Sequence, residues 1–439
     1  LNEMRAAAIA FQLERRWRDH IKSLPILRGM WRYSRRFRPS DPSQGWKIHI
    51  SATPLSAGTV FSRVHPVLAS RGPLFKVSAS LDSLAQLNAG IDAFSQIGKF
   101  LTIYPHSVAE AVDLAQQLHA ITRGLCGPKI PFDVRYRRNS IVYYRYGSFG
   151  KMRNGTIFDH SHRPHKDKRE PGCAVPRWLD DPFKPSNNGE SKPSWLRSRG
   201  PIGRDYIAFR AISQRGKGGV YKAVDLTVSP ARIVILKEGR RHGETAWDGQ
   251  DGYDHVKHEG KVLRTLLDAS FPVPRVLREF TQDRNRYLVL EKIPGHRLLA
   301  RHRLQPGRTS WRRAKIILDR LGGLLSRLHA TGWVWRDCKP WHIFVQGDKM
   351  RLIDFEGACR IAETEVLPWS SLNYTPAPFQ KTFSRRAGTV EDDYALGVIA
   401  FQFLSGEFPV ASAHGRATVY KRTQCPDYLR LEIERLLKF

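Results

Sequence analysis

The chain has 439 residues, 41% of them apolar, with 11 Trp and 21 Phe, enough for two or three packed domains. Its formal charge is +31, but Lys and Arg are spread over every segment, with no basic run or aromatic-interleaved module suited to nucleic acid. Five scattered cysteines without a CxxC pair argue against a disulfide framework or zinc site; no apolar run has membrane-span length and no signal-peptide core opens the chain, so a cytoplasmic, non-membrane protein is expected.

Asn2 to Leu27 spaces Ile9, Leu13, Trp17, Ile21 and Leu24 at a roughly helical period. It predicts an amphipathic helical arm within residues 1–44, packed against the domain that follows. From Gly45 the pattern changes. GWKIHISA, PLFKVSA, KFLTIYP and SIVYYRYGSF read as strands, while Ser107 to Leu125 reads as a helix with Ala111, Leu114, Ala115, Leu118 and Ile121 on one face. The expected fold class is α+β, with a small α/β domain over residues 45–185.

Side chains alternate across a strand, so Lys47 and His49 share the face opposite Ile48 and Ile50. Lys76 interrupts LFKVSA, Lys99 opens KFLTIYP, and Arg145 sits among aromatics in YYRYGSF. If these strands are neighbours, four cations and a His converge on one anion; if they are not, each is a solvated basic residue. In order and spacing these motifs, with VPRWLDDPF after them, resemble the phosphoserine/phosphothreonine lyase domain of class III and class IV lanthipeptide synthetases. The resemblance implies Lys76 as the base that removes an α-proton and His49 as the general acid on the leaving oxygen. It implies Lys47, Lys99 and Arg145 as the phosphate clamp. A lysine base must be neutral, which burial and neighbouring cations favour.

Residues 151–200 are rich in Pro, His, Lys, Arg and Ser and read as a connector, with the linker proper at 186–204. HSHRPH within it reads as a solvated loop rather than a metal tract. From residue 205 to 439 a different plan begins. ISQRGKGGVYKAVD reads strand, turn, strand, with Gly216, Gly218 and Gly219 letting backbone amides approach phosphates. The strand RIVILKEGRRH supplies Lys237, and the helical run Val256 to Leu267 supplies Glu259. A helix over Ala314 to His329 carries an apolar stripe at Ile317, Leu321, Leu324, Leu325 and Leu328. It leads to Asp337 and Lys339, then to two short strands, IFV and RLI, and to Asp354. That layout aims both carboxylates at one pocket mouth, as phosphoryl transfer requires.

WRDCKPWHIFV resembles the catalytic loop of the protein-kinase-like superfamily, and LIDFEGA its metal-binding segment, with Glu356 where glycine is usual. The resemblance implies ATP or GTP and Mg²⁺ as cofactors. Asp337 would position the attacking hydroxyl, and Asp354 with His342 would hold the metal. Lys237, its ion-pair partner Glu259, Lys339 and the three glycines would bind nucleotide. Glu291 to Ile293 would form the hinge, and Asp392 would anchor the catalytic-loop backbone. Several positions depart from the family pattern: Trp335 replaces a His, His342 replaces an Asn, and Ser213 and Arg215 replace glycines. Bacterial sugar and lipopolysaccharide kinases of the superfamily also have His at the position of His342.

VILKEGRRH and LIDFEGA are similar to the kinase domain of the same class III synthetases. Both halves therefore imply an enzyme that phosphorylates Ser/Thr of a ribosomal precursor peptide, engaged through its leader, and then eliminates the phosphate. The tail reads as a short C-lobe without the Cys, Cys and His ligands of a cyclase, which leaves ring closure to a possible separate cyclase. The start at Leu1 reads as that of a fragment. Two other readings stay open: a simple kinase of a protein, sugar or lipid with a peptide-binding N-terminal half, and a non-catalytic pseudokinase scaffold.

Overall fold

The computed structural model describes residues 3–91, 93–150, 155–184, 201–299, 309–363, 366, 369, 371–380 and 386–438. Most of the expected 186–204 linker lies outside them. The fold is α+β, an N-terminal unit followed by a kinase-like unit.

Helix α1 (Glu3–Ile21) leads into a hairpin of β1 (Ile26–Arg28) and β2 (Trp31–Tyr33). These join β3 (Gln44–Ile50), β4 (Leu74–Ser78), β5 (Leu101–Tyr104), β6 (Val134–Arg135) and β7 (Val142–Ser148) in an antiparallel sheet of order β1-β2-β4-β5-β3-β7-β6. The arm expected over 1–44 is thus helical only to Ile21. Ile26 to Tyr33 belongs to the sheet because β2 pairs Tyr33 with Lys76 and Trp31 with Ser78. Trp17 of α1 is buried against Phe61 and Phe100 and donates its indole N–H to Ser78 O at 3.2 Å.

One face of the sheet buries Ile48, Ile50, Phe75, Val77, Leu101, Ile103 and Val142. Helices α2 (Ala57–Arg71), α3 (Leu81–Ala89) and α4 (Val108–Ile121) cover it. Each such side chain contributes about 1.5–3 kcal/mol of transfer free energy, which fixes the strand register. The opposite face is thereby set for polar groups. Part of the segment read as a connector returns to the sheet: β8 (Thr156–Phe158) and β9 (Pro164–Lys166) pair with each other and lead to Asp167, which meets Arg145 on the polar face, while Phe183 packs on Tyr144, the partner of Ile48 on the apolar face.

The second unit opens with the antiparallel sheet β10 (Tyr206–Arg215), β11 (Gly218–Asp225), β12 (Arg232–Gly239), β13 (Val276–Gln282) and β14 (Asn285–Glu291), in order β10-β11-β12-β14-β13. Helix α5 (Gly252–Asp268) starts at a capping box in which Asp251 accepts from Tyr253 N and Asp254 N while Asp254 reaches back. Its apolar side, Val256, Val262, Leu263 and Leu266, enters a core shared with α6 (Trp311–Ala330), α7 (Val390–Ser405) and α9 (Asp427–Leu437). Helix α8 (Ala413–Arg422) packs Tyr420 on Phe401. Between α6 and α7, strands Ile343–Gln346 and Lys349–Leu352 pair antiparallel and separate the loop of Asp337 from Asp354.

Candidate active sites

Cross-strand register builds the upstream site. His49 faces Thr102 on β5 and Tyr143 on β7, Thr102 faces Lys76 on β4, and Lys47 faces Arg145. Directly paired residues of antiparallel strands share a face. Lys76, His49, Lys47 and Arg145 therefore line the side opposite the apolar core, and Lys99 joins them from the turn before β5, its Nζ 3.7 Å from Asp133 Oδ1. All five residues singled out from the sequence meet here.

Three further residues belong to the site. Asp133 Oδ2 lies 2.6 Å from His49 Nδ1. Asp167, just past β9, accepts from Arg145 Nη2 at 2.5 Å and from Ser148 N at 3.1 Å, pinning the returning segment to β7. Arg169, two residues on, adds its positive charge to Lys47, Lys76 and Lys99. None has a local motif; each is recruited from a loop by the charge already on the sheet.

Burial, reinforced by Lys99 and Arg169, pushes the Lys76 amine down to about 7. Burial also brings Lys47 to about 7, with Arg145, Lys99 and Arg169 adding to the effect and Asp167 opposing it. Lys99 falls to about 8, again mainly by burial. His49 is pushed down to about 3 by burial and by Lys99 and Lys47, against the pull of Asp133. The 2.6 Å contact needs a proton between Nδ1 and the carboxylate. The free protein therefore holds a neutral imidazole near pH 7, where the resemblance implied a general acid. Lys76 Nζ also lies 3.9 Å from the centroid of the Trp31 ring.

The downstream site lies where both lobes of the second unit meet. Lys237 on β12 places Nζ 2.7 and 2.6 Å from the two oxygens of Glu259 on α5 and 2.9 Å from Asp354 Oδ1. Asp337 Oδ1 lies 2.6 Å from Lys339 Nζ and accepts from Ser371 Oγ at 2.7 Å, while Lys339 Nζ donates to the same Oγ at 2.7 Å. Ser371 was not foreseen: its hydroxyl completes a three-membered bracket that fixes the Asp337 carboxylate. Burial would raise Asp337, but His342 and Lys339 hold it down at about 2.

His342 resolves one departure from the family pattern. Its Nδ1 lies 3.2 Å from Asp337 Oδ2 and its Nε2 3.3 Å from Asp354 Oδ2, so one ring spans both carboxylates. Asp337, His342 and Asp354 offer ligand atoms within 4.8 Å of one another, a donor set that fits a divalent cation with oxygen preference supplemented by one nitrogen. Trp335 resolves another. It is fully buried, stacks on Phe355 and donates Nε1 to Asp354 O at 3.0 Å, tying the catalytic loop to the metal segment. Asp392 at the start of α7 accepts from Trp335 N and Arg336 N, both at 2.8 Å. Such bonds to a charged acceptor are worth about 1.5–3 kcal/mol each. They hold Arg336 at φ 65°, and Asp354 itself sits at φ 69°, two strained non-glycine positions beside the chemistry.

The glycines behave differently from expectation. Gly218 and Gly219 begin β11, but Gly216 N donates to Ala89 O of the N-terminal unit at 2.9 Å. Its amide is spent on a protein partner instead of facing a phosphate. At the hinge, Glu291 is held by Arg275 Nε at 2.7 Å and by Arg351.

A protein kinase domain model matches residues 209–435, just over half of the 439. The chain belongs to the protein kinase family. In front of the kinase domain, residues 9–194 match the RamC N-terminal domain, so both halves of the resemblance to class III lanthipeptide synthetases are borne out. A protein of Streptomyces coelicolor named "Probable SapB synthase" is 32% identical over 82% of this chain and 40% of its own length. CDPK-related kinase 7 of Arabidopsis thaliana is 29% identical over 48% of this chain and 35% of its own. Serine/threonine-protein kinase PknA of Mycobacterium tuberculosis is 27% identical over 50% of this chain and 51% of its own. The chain thus spans two fifths of the first relative and about a third to a half of the other two.

Proposed function

We propose that this kinase is one half of a two-step dehydratase acting on Ser and Thr of a ribosomal precursor peptide. The carrying observation is the row of Lys76, Thr102 and His49 across three adjacent strands, with Lys47, Lys99 and Arg145 on the same face. A simple kinase has no use for a second cationic pocket that holds two amines near pH 7.

In the downstream pocket Asp337 holds the peptide hydroxyl in line, and Lys237, kept charged by Glu259 and Asp354, grips the nucleotide phosphates. ATP or GTP would supply the phosphoryl group, and Asp354 with His342 would hold Mg²⁺, which would supply positive charge against the charge that develops during transfer. In the upstream pocket Lys47, Lys99 and Arg145 bind the phosphoester dianion, whose charge raises His49. Neutral Lys76 takes the Cα proton, its electron pair forms the Cα–Cβ double bond, and the Cβ–O bond breaks as His49 Nε2 protonates the leaving oxygen. Phosphoserine becomes dehydroalanine and phosphothreonine dehydrobutyrine. Two pockets on one chain raise the effective concentration of the phosphorylated intermediate at the second.

No helix among the described residues is long and apolar enough to cross a membrane; a cytoplasmic setting is part of the proposal, as are capture of the peptide by its leader and ring closure by a separate cyclase. Mass spectrometry of a Ser-rich peptide incubated with the chain, ATP and Mg²⁺ tests the reading. Loss of water supports it, stable gain of phosphate leaves a simple kinase, and an unchanged peptide leaves a scaffold. Asp337→Asn should abolish phosphorylation yet leave elimination from a supplied phosphopeptide intact.

A further inference from the structure

The hairpin between β10 and β11 ends in Gly216 and Lys217, and it is held from two sides. Gly216 N donates to Ala89 O at the end of α3, and a Cβ on Gly216 would overlap Asn88 O. From the kinase side, Arg240 N donates to Lys217 O at 2.8 Å, and a Cβ on Gly252 would overlap that same oxygen. The seat is rigid on the N-terminal side as well. Asn88 is buried, its Nδ2 donating to Ala52 O at 2.9 Å and its Oδ1 accepting from Gly98 N at 3.1 Å.

With its backbone fixed, Lys217 sends its ammonium into the nucleotide site, where it pairs with Glu356 and lies 5.0 Å from the centroid of the Trp369 ring. Glu356 is the residue standing where this family usually has glycine, and its other oxygen is 3.5 Å from Lys237 Nζ. Lys217 is therefore one carboxylate away from the lysine that grips phosphates and from metal-binding Asp354. We propose that Lys217 is a third cation for the terminal phosphate of the nucleotide, presented by a hairpin tip that the N-terminal half holds in place. Glu356 parks the ammonium while the site is empty and releases it to the stronger charge of the phosphate. The N-terminal half is then a structural part of the kinase site.

The inference rests on the nucleotide site proposed above, and ADP binding reports on that site separately. The experiment measures, on the full chain with Mg²⁺, the affinities of ADP and of a non-hydrolysable β,γ-methylene ATP analogue. Glu356→Gln serves as the background, so that no unpaired carboxylate repels either ligand. Adding Lys217→Met should weaken the analogue on the order of 10- to 100-fold and leave ADP within about threefold; Lys217→Arg should keep most of the preference. Gly216→Ala, whose new methyl would overlap Asn88 and Ala89 of the N-terminal half, should reproduce the selective loss. Equal weakening of both ligands, no weakening of either, or a Gly216→Ala variant that binds the analogue normally overturns the proposal. Failure of the unsubstituted chain to bind ADP overturns the site reading and this proposal with it.

Discussion

Removing the Lys76 amine tests the upstream chemistry most directly. An ordinary lysine at 10.5 is neutral in only about 1 molecule in 3,000 at pH 7, whereas one pushed down to about 7 is half neutral. Burial on β4 beside Lys99 and Arg169 thus raises the share of usable base by on the order of 10³, before any effect of positioning. Lys76→Met keeps the stem against Trp31 and should slow elimination by roughly 10²–10⁴, the usual worth of a general base. The assay is single-turnover loss of phosphoric acid from a supplied phosphoserine peptide, followed by mass spectrometry from pH 5.5 to 9. The neutral amine takes a proton while protonated His49 gives one, so the rate in the complex should climb tenfold per pH unit up to about 7 and fall again once the bound-state His49 loses its proton. The phosphate of the substrate titrates near 6, a full unit lower, and gives the alternative its own signature. Lys47 has a similarly lowered amine but is placed as a clamp, so Lys47→Met should raise KM and keep the break near 7. A break at about 6 alone, or a Lys76→Met variant that eliminates at the normal rate, refutes the assignment of the base.

Asp133→Asn removes the charge that holds the His49 ring and should slow elimination by about 10- to 100-fold, read on the phosphopeptide, with no effect on peptide phosphorylation. Trp335→Phe keeps the stacking on Phe355 but loses the hydrogen bond to Asp354 O, worth about 1 kcal/mol. Measured in the Lys76→Met background, where phosphopeptide accumulates, it should lower kinase kcat/KM roughly fivefold. Trp335→His, which restores a ring donor, should recover part of that loss.

The sequence made visible what strand period and short motifs encode. Lys47 and His49 lie two residues apart and so were legible as one face; Asp337 and Asp354 were legible because the two short strands between them set their spacing. The boundary near residue 44 was not legible: β2 is three residues long, too short for a period, and joins the sheet only through its partner strand β4. Asp133, Asp167, Arg169 and Ser371 escaped for the same reason. Each sits in a loop with no pattern of its own and is selected by a charge or hydroxyl contact to a residue far along the chain. The glycine turn misled in a more instructive way. Glycine signals close backbone approach, but it does not say to what, and at Gly216 the approaching group is the Asn88–Ala89 backbone.

Both pockets handle phosphate with lysines, yet they tune those lysines in opposite directions. Lys237 and Lys217 stand among three carboxylates, Glu259, Asp354 and Glu356, and both amines are pushed up despite their burial. A site with more carboxylates than ammoniums attracts a divalent cation and keeps its lysines charged, which suits phosphate making. Lys47, Lys76 and Lys99 stand among Arg145 and Arg169 with Asp133 and Asp167 opposed to them, and all three amines are pushed down. An excess of cations there attracts a phosphate dianion directly, and burial, with their mutual repulsion added to it, is what would free one amine to act as a base. Exchanging the carboxylate count between the pockets would therefore disable both. A charged Lys76 cannot take a proton, and a neutral Lys237 cannot hold a triphosphate.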